Sequence, residues 1–205
     1  MDINKLSATA GRLNRFFKAV QAAIIIAWIV MICVTAALTV QNAVNPDALL
    51  DYEFNNALEL GPIKLTFADG YAPENSNFLV YAWISTALGS AYAAVLYIGL
   101  GYVRKILNPI ACGRPFYLEN ALYLKKIAVL SLIWGVVKNL GVVIETTAAM
   151  RSFGLDALRD SGMISSVSVD YVFSFDFIVT FFVLMLMSYV FSYGAELQRL
   201  DDETL

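Results

Sequence analysis

Four long apolar segments constrain this chain more than any other feature of its sequence. They cover residues 19–40, 78–103, 127–150 and 171–195. The first two contain no Asp, Glu, Lys or Arg, and the other two contain three charged residues between them. At about 1.5 Å of rise per residue, each segment is long enough as a helix to cross a hydrocarbon core of about 30 Å. The sequence therefore predicts an all-α integral membrane protein, a bundle of four transmembrane helices in a single domain.

The composition agrees with this class and excludes several others. Of all residues, 59% are hydrophobic and 15% are charged, whereas about one quarter of a soluble domain is charged. Histidine is absent, which excludes His-ligated haem, most catalytic zinc sites and Ser-His-Asp or Cys-His catalysis. Cys33 and Cys112 fall in different layers, so we expect no disulfide between them. The chain has no nucleotide-binding glycine loop and no basic stripe, so we expect no cofactor, no metal, no direct nucleic acid binding and no enzyme activity.

Lys and Arg are concentrated on one side of the predicted membrane. Ten of them lie in the N-terminal segment, the loop 104–126 and the tail 196–205, and only three lie in the loops 41–77 and 151–170. Positive residues in short loops are retained in the cytoplasm. This distribution predicts that both termini and the loop 104–126 are cytoplasmic.

The loops contain weaker patterns. Apolar and polar residues alternate on both sides of Gly61-Pro62, which predicts a β-hairpin in the first outer loop. A lid that ties helix ends together and a ligand-binding element both remain open for this hairpin, and the lid is favoured. Residues 155–160 predict one or two turns of amphipathic helix, and Pro109 is expected to end the second helix.

Two further patterns predict what surrounds the helices. Ser85, Gly89 and Ala93 recur every four residues in the second segment, which allows another helix to approach closely. We expect this packing within the monomer, with dimerisation as the alternative. Lys125 and Lys126 are expected to extend toward lipid phosphates at the inner interface.

Three charged residues inside the apolar segments are candidates for a polar site: Lys138, Glu145 and Asp176. An intramembrane charge costs about 2.5–3.5 kcal/mol, so each should face protein or water. Lys138 and Glu145 lie about two turns apart on nearly the same helix face, next to Asn139. One interpretation is a proton, cation or ligand site that opens outward between the third and fourth helices. The other, slightly favoured, is an ion-pair and hydrogen-bond network that fixes helix packing.

Two short motifs resemble a known family. One is Gly113-Arg-Pro-Phe116 with Asn120 four residues later, and the other is Gly194-Ala-Glu-Leu-Gln198 followed by Asp201-Asp-Glu-Thr-Leu205. With the four-span plan, they resemble a bacterial membrane-protein family catalogued as a domain of unknown function, over essentially the whole chain. The resemblance implies the bacterial cytoplasmic membrane. Many members are encoded beside a small helix-turn-helix regulator of the Cro/C1 type, which implies a cytosolic partner, and the family assigns no catalytic residue.

These observations predict a non-enzymatic accessory or regulatory subunit that acts through protein partners in the lipid bilayer. The partner is a helix-turn-helix regulator or another membrane subunit, and the sequence leaves homo-oligomerisation open. The alternative is a small transporter or channel-like protein that uses the intramembrane charges, and an intramembrane enzyme is a distant third. The residues expected to contact a partner are Gly113, Arg114, Pro115, Phe116, Asn120, Glu196, Leu197 and Gln198.

Overall fold

The residues that the structure describes form four long helices. The computed structural model describes residues 3–45, 57–60, 63–67, 78–112, 117–152, 164–169 and 171–204. The helices are α1 (Ile3–Val44), α2 (Phe78–Ala111), α3 (Leu118–Ser152) and α4 (Asp176–Thr204). All four are long and apolar enough to cross a membrane. This confirms the prediction of four candidate membrane-spanning helices.

The helices extend beyond the apolar segments. α1 begins at Ile3, well before the first apolar segment, and α4 continues to Thr204 through the charged tail. Apolar length determines only how much of a helix lipid can cover, whereas the helix itself continues through any residues that form helix well. Pro109 lies inside the last turn of α2, contrary to the prediction that it ends the helix. A proline so close to the C-terminus removes one backbone hydrogen bond and leaves most of the helix intact.

Three short strands form one small sheet. They are β1 (Ala57–Leu60), β2 (Ile63–Phe67) and β3 (Ile164–Val169), in the order β1-β2-β3. Both pairings are antiparallel, with Leu60 opposite Ile63 and Ile63 opposite Val169. The sequence did not predict strand β3, because its serines are typical of a loop. It supplies the third strand that a two-stranded pair needs for stability. The helix predicted at residues 155–160 lies outside the described residues.

The chain divides into two compact units. The first comprises Met1–Ala27, Tyr92–Val136 and Ser174–Leu205, and the second comprises Trp28–Ala91 and Val137–Phe173. In the first unit α3 and α4 approach closely, because the Ser188 hydroxyl donates a hydrogen bond to the carbonyl of Ala121 over 2.7 Å. Gly135 of α3 lies directly against the ring of Phe177, and a Cβ atom there would overlap the ring.

In the second unit small and hydroxyl side chains join α1 to α2. The hydroxyls of Thr35 and Thr86 are 2.7 Å apart and both residues are buried. Gly89 faces Met31, whose sulfur lies 2.9 Å from the position that a Cβ atom would take. The predicted close approach at Gly89 is therefore made within this chain.

Candidate functional site

The predicted intramembrane charges of α3 all lie in the second unit. Lys138, Asn139 and Glu145 are half-buried. The hydroxyl of Tyr81, which is only 8% exposed, lies 3.3 Å from Oε1 of Glu145 and donates a hydrogen bond to it. Within the part of the chain that the structure describes, Lys138 forms no ion pair. Glu145 is thus anchored by a phenol on α2, and the predicted salt bridge with Lys138 is not formed among these residues.

Asp176 lies in the first unit, as the first residue of α4. Its side chain is exposed. A carboxylate at a helix N-terminus is stabilised by the partial positive charge of the free backbone N–H groups. Asp176 therefore has a structural role at this helix end, and its grouping with Lys138 and Glu145 stays a prediction.

The inner-loop motif is described only at its end. Gly113, Arg114, Pro115 and Phe116 lie outside the described residues. Asn120 has no exposed surface, and its backbone N–H donates to the carbonyl of Tyr117 over 2.8 Å in the first turn of α3. A partner has no access to Asn120 in this conformation.

The tail residues predicted to contact a partner continue α4 as a helix. Glu196, Leu197 and Gln198 are all exposed. The Arg199 guanidinium pairs with Glu196 at 2.7 Å and with Glu203 at 3.8 Å, both within one turn. Exposed pairs of this kind stabilise a helix by only a few tenths of a kcal/mol. They orient the charges along one face of the tail.

An apolar stripe runs along a neighbouring face of α4. Tyr189 and Tyr193 are each 68% exposed, and Leu197 and Leu200 are 49% and 47% exposed. The spacing of four, four and three residues places these side chains on one side of a helix. We call these four residues the α4 stripe. This spacing is present in the sequence, but only the charges of the tail pointed to partner contact there.

A second feature missed in the sequence is the environment of Arg104 on α2, in the first unit. Its Nε donates to Oδ1 of Asn14 over 3.0 Å and its Nη1 donates to Oε1 of Gln21 over 2.7 Å, both on α1. Gln21 is 6% exposed and donates in turn to the carbonyl of Tyr97 over 2.9 Å. Arg104 is thus held by neutral amides, and it forms no ion pair with the residues that the structure describes. In the sequence, Arg104 indicated only the orientation of the chain.

Near Arg104, two tyrosines hold two lysines. The rings of Tyr102 and Tyr123 stack with centroids 6.0 Å apart. The Nζ atoms of Lys105 and Lys126 each lie 5.4–5.7 Å from both ring centroids. The Tyr123 hydroxyl lies 3.3 Å from Oε2 of Glu119 and donates to it. Cation–π contacts within about 6 Å are attractive, so the tyrosines hold two positive charges at the same place.

Comparisons with known proteins found no relative from which a function could be inferred. No family model matches the chain, and neither a curated protein nor a solved structure matches it. Within the described residues, no group of three or more Cys, Asp or Glu side chains could hold a metal ion. The class of protein that the fold defines is a chain with four helices able to cross a membrane.

Proposed function

We propose that this protein is a non-enzymatic accessory or regulatory subunit of the bacterial cytoplasmic membrane, which binds a protein partner through the C-terminal end of α4. The observation that carries the proposal is the α4 stripe, an exposed apolar face that continues into the charged tail. The resemblance to a bacterial four-span family, with a helix-turn-helix regulator encoded nearby, supports a cytosolic partner.

The length of α4 supports a position of part of this stripe outside the lipid. The helix has 29 residues, or about 43 Å at 1.5 Å per residue, whereas the hydrocarbon core is about 30 Å thick. The charged residues Glu196, Arg199 and Glu203 favour the C-terminal end as the part that protrudes. Lipid can cover Tyr189, but Leu197 and Leu200 lie among charged residues. Exposed apolar patches of this kind mark interaction sites.

The charges of the tail indicate the chemistry of the partner. Residues 196–205 contain four acids and one arginine, and Arg199 is already paired with two of the acids. A complementary surface therefore has an apolar groove flanked by Lys or Arg, as in helix-in-groove recognition. A regulator with such a basic groove and another membrane subunit with such a groove on its cytoplasmic side both meet this requirement.

A photocrosslinking scan of the tail tests the proposal. A photoreactive side chain placed singly at Tyr193, Leu197 or Leu200 should form protein adducts in intact cells. The same side chain at Gln198 or Asp202 is the control and should form few, because these positions are off the stripe by helical spacing. Adducts at all positions alike, or adducts to lipid alone, would contradict partner binding.

Deletion of the residues after Gln198 provides a second test. Partner co-purification should be lost while the four helices stay folded, because these residues are not needed to span the membrane. The double variant Leu197→Gln, Leu200→Gln should have the same effect without shortening the chain. Arg12→Gln, an exposed change on α1, is the matched control and should leave co-purification intact.

The proposed orientation places both termini in the cytoplasm, on the support of the Lys and Arg distribution. A cysteine at Asn45, which is exposed just after α1, should react with a membrane-impermeant thiol reagent in whole cells. Native Cys112, exposed after α2, should react only after the membrane is permeabilised. Cys33 is replaced by Ala in both cases. Labelling of Cys112 from outside would reverse the orientation.

The alternative function is a small transporter or channel-like protein that uses Lys138, Glu145 and Asp176. The contact between Tyr81 and Glu145 favours it, since hydrogen-bonded carboxylates within membrane-spanning helices mark proton and cation pathways. Asp176→Asn and Glu145→Gln should then stop flux in reconstituted vesicles, and the tail deletion should leave flux unchanged. Lost flux together with intact partner binding after tail deletion would favour this alternative.

A further inference from the structure

A groove lies between α2 and α3 in the first unit, and the proposed partner-binding role does not involve it. Its volume is about 400 Å³. Its apolar walls come from Ile98 and Tyr102 on α2 and from Leu122, Val129, Leu130 and Ile133 on α3, and Lys125 and Lys126 also line it.

The groove runs from a charged end to an apolar end. From Lys126 to Ile133 on α3 is about 10 Å along the helix, and Ile98 and Tyr102 line the facing side on α2. Ile98, Val129 and Ile133 are each about half exposed, at 46–47%. Because these side chains lie within apolar helices able to cross a membrane, their exposed surface is accessible to acyl chains.

Positive charge is concentrated at the other end. The Nζ atoms of Lys105 and Lys126 share the Tyr102–Tyr123 ring pair, and Lys125 lines the groove beside them. None of these lysines forms an ion pair among the described residues. An acid at the tyrosine pair, Glu119, already accepts a hydrogen bond from Tyr123. The cluster therefore has an excess of positive charge, and its complement is an anion.

We propose that this groove binds one anionic phospholipid, with its phosphate at Lys125 and Lys126 and one acyl chain along Val129 and Ile133. The tyrosine pair holds Lys105 and Lys126 in place, so that the positive charge is preorganised before the lipid arrives. The apolar groove adds no preference for one headgroup, because the acyl chain is already in lipid. Selectivity for an anionic headgroup comes from the lysines, at about fivefold per cation near the membrane surface.

Native mass spectrometry of the full chain in mild detergent tests the site. The protein is titrated with dioleoyl phosphatidylglycerol, with the phosphatidylcholine of the same chains, and with glycerol phosphate. Wild-type protein should retain phosphatidylglycerol in preference to phosphatidylcholine. The double variant Lys125→Gln, Lys126→Gln should lower this preference about 25-fold, and Lys125→Arg, Lys126→Arg should restore it. Thermal unfolding in the same detergent verifies that each variant is folded.

Two controls separate a specific site from general attraction. Arg12→Gln with Lys18→Gln removes the same charge from exposed positions on α1 and should change the preference less than about threefold. Val129→Trp should fill the groove and displace the acyl chain while all lysines remain. Equal losses in both charge-removing double variants, or full lipid retention in Val129→Trp, would overturn the proposal. Competition by glycerol phosphate as strong as that by the lipid would also overturn it, because the ligand would then be the phosphate alone.

Discussion

The two units differ in the side chains that join α1 to α2. In the first unit a charged guanidinium, that of Arg104, is bound by the amides of Asn14 and Gln21. In the second unit two neutral hydroxyls, those of Thr35 and Thr86, meet at 2.7 Å. The first contact lies toward the N-terminus of α1, outside or at the edge of its apolar segment, and the second lies well inside that segment. A charged side chain is tolerated where amides and water solvate it. Among apolar residues, the free-energy cost of burying a neutral hydroxyl is much smaller than that of burying a charge.

The units also differ in how they use glycine. In the first unit Gly135 faces the stiff ring of Phe177, and in the second Gly89 faces the end of the flexible side chain of Met31. A ring cannot move aside without displacing its helix, whereas a thioether can change rotamer. The first contact therefore tolerates much less change than the second, and the following variants measure that difference.

The largest effect is expected for Gly135→Ala. The added methyl overlaps the Phe177 ring, and overpacking of this kind costs about 3 kcal/mol. Equilibrium unfolding in mixed micelles should show this loss. Phe177→Leu in the same chain should recover part of it, since the smaller side chain leaves room for the methyl. Additive losses in the double variant would show that the two residues do not contact each other in solution.

A smaller loss is expected for Arg104→Gln. The change removes two charge-assisted hydrogen bonds to Asn14 and Gln21 and should lower the free energy of unfolding by about 2 kcal/mol. Arg104→Lys should lose less, because it keeps the charge but not the forked geometry. Arg15→Gln, at an exposed position on α1, is the matched control and should be nearly neutral. An equal loss of unfolding free energy in the control would show that the contacts of Arg104 with α1 add no stability of their own.

The threonine pair should contribute less than the arginine. In a double-mutant cycle of Thr35→Val and Thr86→Val, we expect a coupling energy of about 0.6 kcal/mol, as for other hydrogen bonds between membrane helices. The value is small because the Thr35 hydroxyl also lies 3.1 Å from the carbonyl of Met31, within its own helix. A coupling energy of zero would mean that each hydroxyl is satisfied by its own helix alone.

The smallest effect is expected for Gly89→Ala. The end of the Met31 side chain can move away, and alanine forms helix better than glycine. The net change in unfolding free energy should lie between zero and about 0.5 kcal/mol. A loss as large as that of Gly135→Ala would erase the distinction between the two contacts.

Much of the architecture was readable from the sequence, since apolar length is a local property. Four long apolar segments, with only three charged residues among them, predicted four helices able to cross a membrane, and the structure has them. The helix ends were less predictable. α4 continues through Glu196 and Arg199 to Thr204 because helix formation depends on backbone geometry and not on hydrophobicity. Strand β3 depends on pairing with β2, a contact distant in sequence.

The candidate sites were less accessible to sequence reasoning. Lys138 and Glu145 were identified by their position in an apolar segment, but the partner found for Glu145 is Tyr81, from a different helix. The sequence indicated Arg104 and Lys105 only as positive residues of a cytoplasmic loop, and Lys126 as a residue that extends toward lipid phosphates. Nothing in their spacing indicated that amides of α1 would hold the first, or that two tyrosines would hold the others.

By itself, the sequence determined the number of apolar helices and the segregation of Lys and Arg, because burial in lipid and retention of positive charge act on each segment separately. Only the tertiary structure decided which polar side chains compensate one another, which glycine lies against a ring, and where two lysines line an apolar groove. These depend on how neighbouring helices are rotated and in what register they pack. Helices in lipid gain no hydrophobic preference for one face over another, so small residues and hydrogen bonds between helices set that arrangement.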